Sequence, residues 1–288
     1  MSVVDKLVKL IRETSSSLPP DVLKALKSAL RKERKGSSAA VVLKTILDNC
    51  AIAAKRGTPL CQDTGTLTFF VDERLRRKVT PTVIKKAVAI ATEKGFLRKN
   101  TIDAVTGMSY DDNCAVGAPV VHYCESASCS SGARSSRPMV TLILKGGGSE
   151  NMSRQYSLPD AALGAGRDLE GVRKCILDAV QKIQGYGCAP GILGVCIGGD
   201  RATGFEVAKG QLLRPLDESD KIGQTEIVKL EKRLLKEANE LGIGPMGLGG
   251  KTTLLGVKIA ACPRVPASFF VTIAYMCWAC RRRTLCVE

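Results

Sequence analysis

Histidine is nearly missing from this chain of 288 residues, which holds one, His122. A serine or cysteine nucleophile usually hands its proton to a positioned imidazole, so hydrolytic triads have little material here. A lone histidine in a strand-like run reads as a structural residue. Aromatic residues make up only 4% of the chain, although Lys plus Arg outnumber Asp plus Glu by 43 to 28. Proteins that bind single-stranded nucleic acid interleave basic residues with stacking aromatics, so the surplus charge reads better as a solvated basic face. No apolar run reaches the ~18 residues of a membrane span. The N-terminus alternates Val3, Val4, Leu7, Leu10 and Ile11 with Asp5, Lys6 and Lys9, which is an amphipathic helix and not a secretory leader.

What is present is a chain 44% hydrophobic, with a formal charge of +15 and twelve cysteines. That length and apolar content suffice for a real buried core and exclude a disordered tail. The charge would attract polyanions or small dicarboxylates without choosing between them. Many cysteines without a leader point to reduced thiols in the cytoplasm, some of them free to hold metal.

The pattern along the chain predicts a mixed α/β fold. Helices are expected over 3–12, starting at Pro19-Pro20-Asp21, over 37–56, 81–94 and 169–183, and from Gln224 to Leu241. Strands are expected at 66–71, 119–123, 139–144, 252–261 and 268–276, the last two finishing the fold. The segment 100–117 is poorly patterned, and 185–199 is Gly-rich and apolar. Residues 126–137 have loop composition and are expected to join neighbouring strands. No repeat or linker divides the chain, so residues 1–288 are expected to form one domain.

Three segments share one grammar, a cysteine at an apparent element boundary: Cys61-Gln62-Asp63-Thr64-Gly65, Gly187-Cys188-Ala189-Pro190-Gly191 and Tyr275-Met276-Cys277-Trp278-Ala279. Thiolates bind iron, and ligands at strand ends can converge from distant parts of a chain. Zinc fingers and ribbons use cysteines paired a few residues apart, and Cys277 with Cys280 has no matching second pair. Cys50, Cys124, Cys175 and Cys196 read as small buried hydrophobes. The glycines after Lys145 would let backbone N–H groups approach an anion or a cluster. Gly244 to Thr253 resembles the end of a P-loop, but its required first glycine falls on Pro245. Gly185-Tyr186-Gly187 begins like a dinucleotide fingerprint whose third glycine would be Pro190. Both nucleotide readings fail.

Taken in order, Cys61 to Gly65, Lys145 to Asn151, Gly187 to Asp200, Gly244 to Thr253 and Met276 to Ala279 resemble the motifs of the class I fumarase and L-tartrate dehydratase α-subunit family. The likeness covers nearly the whole chain. It implies a [4Fe–4S] cluster on Cys61, Cys188 and Cys277, carried by loops of the mixed sheet behind a helical N-terminal part. One iron would lack a protein thiolate. It also implies catalysis by Asp63 and Gln62, and substrate contacts from Gln62, Gly147 and Asn113. The expected reaction is the hydration of fumarate to malate, with L-tartrate dehydration as the alternative. A β-type subunit would complete the dicarboxylate site in an α2β2 assembly.

The chain also departs from the family pattern. Val265-Pro266-Ala267-Ser268 stands where the family usually has His-Pro-Ala-Ser, and Met108 to Cys114 replaces an Arg-rich segment ending in Asn-Thr-Gly. These changes support a further reading, a cluster-binding paralogue with weak or no catalysis. Cys196 and Cys262 are additional to the motifs, as packing residues or as redox-sensitive thiols.

Overall fold

A computed structural model describes residues 1–124, 137–217 and 225–287. In chain order the helices are α1 (Val3–Ser16), α2 (Pro20–Lys32), α3 (Ser38–Arg56), α4 (Pro81–Glu93), α5 (Gly147–Asn151), α6 (Leu169–Ile183), α7 (Arg201–Gln211) and α8 (Thr225–Glu240). The strands are β1 (Thr66–Asp72), β2 (Thr101–Ile102), β3 (Ser109–Tyr110), β4 (Val120–Cys124), β5 (Met139–Lys145), β6 (Arg154–Ser157), β7 (Gly191–Gly198), β8 (Leu254–Cys262), β9 (Phe270–Met276) and β10 (Arg281–Cys286). They fall into two compact units that interleave in sequence. One comprises Met1–Pro20, Ile46–Gly147 and Ala279–Glu288, and the other Asp21–Thr45 and Gly148–Trp278.

The first unit holds a sheet in the order β10-β5-β1-β4, with β1 and β4 parallel and the other pairs antiparallel. Helix α1 starts from a capping box, Ser2 and Asp5 each bonding the other's backbone, which satisfies N–H groups that the first turn leaves unpaired. Helix α4 starts from Thr80 with Pro81 in its first turn, where a missing N–H costs nothing. Leu7, Ile11, Ile84 and Val88 from these helices pack with Phe69, Val71, Leu142 and Leu144 of the sheet.

The second unit carries a sheet in the order β6-β9-β7-β8. Val172, Ile176 and Leu234 of α6 and α8 pack with Leu193, Val195, Val257 and Ile273. Helix α7 covers the other face, where Gly194 and Gly204 let it approach: an added Cβ would collide with the Ala208 carbonyl at the first and with Thr272 at the second. Among the described residues, no helix is long and apolar enough to cross a membrane.

The helices and strands expected from hydrophobic period are present, and the mixed α/β class holds. Several expectations change. The unpatterned stretch contains the short hairpin β2–β3. The Gly-rich run resolves into a turn and the wholly buried strand β7, and the glycines after Lys145 open the single-turn helix α5. β10 follows the strands expected to finish the fold, and β6 and α7 were not anticipated. β4 and β5 are not neighbours, since each pairs with β1; residues 126–136 between them, like 224, lie outside the described residues. Cys50, Cys175 and Cys196 are buried as expected, whereas Cys124 is only half-buried and is disulfide-bonded.

Candidate functional site

In the first unit, Cys61 to Gly65 forms the turn between α3 and β1, and its path is tied at several points. Leu60 N–H donates to the Ser15 carbonyl at 2.8 Å. The Thr64 hydroxyl, buried, donates to the Arg98 carbonyl and accepts from the Arg98 N–H, both at 2.9 Å. Gly65 has φ +74°, and any Cβ there would run into the Lys145 carbonyl. Both its conformation and its space require glycine, and the contact sets the turn against the end of β5.

Asp63 is the carboxylate of this turn, and both of its oxygens are engaged. Oδ2 accepts the Gly147 N–H at 2.8 Å, and Oδ1 accepts Asn100 Nδ2 at 3.2 Å. A Cβ on Gly146 would stand 2.7 Å from Oδ2 and 3.9 Å from a guanidinium nitrogen of Arg281. Arg281 is 1% exposed, and among the described residues its Nε finds no hydrogen-bond partner. The Gly147 N–H, expected to meet substrate, is thus committed to Asp63. Gln62 is exposed beside it.

Asn113 is wholly buried, with φ +59°. Its Oδ1 accepts the N–H groups of Asn100 and Thr101 at 2.7 and 3.1 Å, and its Nδ2 donates to Thr92 Oγ1 and the Arg98 carbonyl at 3.0 and 2.8 Å. Its amide is consumed internally: it holds the backbone of Asn100, whose side chain reaches Asp63, and it shares the Arg98 carbonyl with Thr64, the residue after Asp63. Asn113→Gly keeps the left-handed backbone accessible while removing the amide. It should therefore cost at least about 2 kcal/mol, because several buried groups lose partners. A lower urea midpoint at unchanged slope would register this, and an unchanged midpoint would refute it.

In the second unit, β7 and β9 are antiparallel neighbours, with Ile192 opposite Met276. The turn leading into β7 and the residues leaving β9 therefore emerge at the same sheet end, which brings Cys188 and Cys277 onto adjacent backbone. Trp278 N–H donates to the Cys188 carbonyl at 3.3 Å, and Cys277 N–H donates to Ser149 Oγ at 3.1 Å. Cys188 is exposed with φ +54°, an uncommon state for a side-chain-bearing residue, and Cys277 is half-buried. The Tyr275 ring fills the space that a Cβ would need at both Gly187 and Gly191. Burial, and then the charges of Cys277 and Cys188, push its phenol well above the ordinary range.

Ser149, Asn100, Tyr275 and Arg281 were not singled out from sequence as functional. Tyr275 and Ser149 stand inside quoted motifs, but nothing local distinguishes them. His122 stacks on Phe70 with ring centroids 5.1 Å apart. Val265 is 64% exposed between β8 and β9. Among the described residues, no three His, Cys, Asp or Glu side chains are grouped to hold a single metal ion. A cluster instead spreads its thiolates over separate irons.

Fold and site together define an α/β protein that presents thiols and one doubly anchored carboxylate on loops at strand ends. A family model described as fumarate hydratase (fumerase) matches residues 4–286, and the chain belongs to that family. A Geobacillus stearothermophilus protein designated fumarate hydratase class I is 46% identical over 286 residues, 96% of this chain and 53% of the relative. This chain thus spans about half the length of that protein. The Methanocaldococcus jannaschii protein designated L(+)-tartrate dehydratase subunit alpha is 34% identical over 98% of this chain and 96% of its own length. The Escherichia coli K12 L(+)-tartrate dehydratase subunit alpha is 29% identical over 99% and 92%.

Proposed function

We propose that this chain is the cluster-binding α-type half of a [4Fe–4S] hydro-lyase that hydrates fumarate reversibly to malate, working in the cytoplasm with a β-type subunit as α2β2. The observation that carries the substrate choice is the 46% identity to a protein designated a class I fumarate hydratase, against 34% and 29% for the tartrate dehydratase subunits. Tartrate dehydration is the second reading, favoured by the α-subunit designation of those two relatives, which also supports a separate β partner.

Cys61, Cys188 and Cys277 would hold the cluster, and the donors fit. Thiolates are the ligands such clusters take, and these three reach the surface where Cys50 and Cys175 do not. When bound, the cluster supplies a Lewis-acidic iron that polarises a carbon–oxygen bond without redox change. The remaining chemistry falls to the chain. Asp63, fixed by Gly147 and Asn100, accepts or returns the proton that leaves or joins the carbon adjacent to the one bearing the hydroxyl. Gln62, exposed beside it, offers the substrate an amide. Asn113 acts as a positioning residue through Asn100. Val265 brings no proton-transfer group, so a cluster-binding paralogue with weak turnover is a third reading.

The test is anaerobic purification with iron and sulfide quantitation and an absorption spectrum. Cys61→Ser, Cys188→Ser and Cys277→Ser should each lose the cluster, and Cys280→Ser should keep it. With the β partner added, fumarate hydration supports the first reading and tartrate dehydration the second. An intact cluster with no turnover on either selects the paralogue. A wild-type chain that takes up no iron on reconstitution beside its partner sinks the proposal.

A further inference from the structure

Strands β7 and β8 run parallel, with Cys196 opposite Ala260 and Gly198 opposite Cys262. The two cysteines therefore share one face of the sheet, a diagonal step apart, and their sulfurs lie 3.7 Å from each other. Cys196 is fully buried, whereas Cys262 is half-buried. Neither belongs to the proposed cluster set. The pair sits where the strands end: Cys262 is the last residue of β8, and Gly198 and Gly199 close β7 with φ +86° and +69°. Gly199 N–H donates to the Pro263 carbonyl at 3.2 Å, and beyond it both strands have left the ladder. A disulfide needs its sulfurs about 2.0 Å apart. Closing that gap requires rotation of the side chains and movement of the backbone at the end of β8, where Cys262 is the last residue of the ladder.

We propose that Cys196 and Cys262 form an oxidisable dithiol, a modification site for hydrogen peroxide, in which Cys262 reacts first and Cys196 resolves the product. The Cys262 thiolate attacks one peroxide oxygen. The O–O bond breaks, an S–O bond forms, and the departing hydroxide takes up the thiol proton as water. The Cys196 sulfur then attacks the Cys262 sulfur of the sulfenic acid. The S–O bond breaks, the S–S bond forms, and the hydroxyl leaves with the Cys196 proton as a second water. Two thiols and one peroxide thus give one disulfide and two waters.

The order follows from access and ionisation. Burial, and then the neighbouring Cys262, push the Cys196 thiol up to about 12, so little of it is the thiolate that peroxide requires. Its use lies in position. A buried thiol already against Cys262 captures the sulfenic acid and stops oxidation at a reversible stage, ahead of sulfinic acid.

The experiment treats the full chain with hydrogen peroxide, alkylates the remaining thiols and maps peptides by tandem mass spectrometry. The wild type should yield a Cys196–Cys262 cross-link, lighter by two hydrogens and opened by dithiothreitol. Cys196→Ser should drive Cys262 on to sulfinic or sulfonic acid, which dithiothreitol does not reverse. Cys262→Ser should leave Cys196 a free thiol at the same dose. Sulfinic acid on Cys262 in the wild type without a cross-link would overturn the proposal, as would both sulfurs still alkylated after excess peroxide.

Discussion

On the proposed function, an Asp63→Asn variant should keep wild-type iron and sulfide and lose about 10²- to 10⁴-fold of its hydration rate, the range that general acid–base catalysis commonly supplies. The substitution changes shape hardly at all. It removes the proton-accepting capacity and weakens the anchoring, because an amide nitrogen then faces either the Gly147 N–H or Asn100 Nδ2, which both donate to Asp63. Asp63→Glu should fare little better. Oδ2 already stands 2.7 Å from where a Gly146 Cβ would be, so the loop is fitted to the shorter side chain. The assay is fumarate hydration under anaerobic conditions with the β partner present, read beside iron content. Full turnover in Asp63→Asn with its cluster in place would remove Asp63 from the mechanism.

The second large effect concerns the seat of Cys188. Gly187 and Gly191 flank that cysteine and both rest on the Tyr275 ring, so the turn is moulded on one aromatic face. Gly187→Ala drives a methyl into the ring, and Tyr275→Ala removes the support and leaves a cavity worth about 3–5 kcal/mol. If Cys188 holds the cluster as proposed, each single variant should lose most of its bound iron. The double variant Gly187→Ala with Tyr275→Ala should be more stable than the sum of the two predicts, since the new methyl enters the space the ring has left. A coupling of about 1–3 kcal/mol from urea unfolding is the expected size for residues in contact. Tyr275→Phe keeps the ring and should keep the iron. Additive losses within about 0.5 kcal/mol would show that ring and glycine act separately.

The elements legible beforehand are those whose cause is local. α1, α4 and α6 carry apolar residues at helical spacing behind a capping Ser2, Thr80 or Asp168. β1, β5 and β9 are apolar runs long enough to be buried strands. The elements that escaped notice have causes elsewhere in the chain. β10 reads Arg-Arg-Arg-Thr-Leu-Cys and becomes a strand because β5 supplies its antiparallel partner, register fixed from Arg281–Leu144 to Cys286–Met139. α7 contains two glycines and a weak apolar pattern. It forms because Asp200 caps it, accepting from Ala202 and Thr203, and because Gly204 lets it lie against Thr272.

The same division holds for the site. Residue types and their order in the chain drew attention to Cys61, Asp63, Cys188 and Cys277 as candidates, since each stands among turn-forming residues at an element boundary, and the family resemblance supplied the roles proposed for them. Only the tertiary structure decided which groups complete them. It buried Asn113 and spent its amide on Asn100, committed the Gly147 N–H to Asp63, set Tyr275 beneath the Cys188 turn, and brought Cys196 and Cys262 to 3.7 Å. All but the first of these join residues far apart in the chain. Strand register and close backbone approach create such contacts, and no local pattern of side chains encodes them by itself.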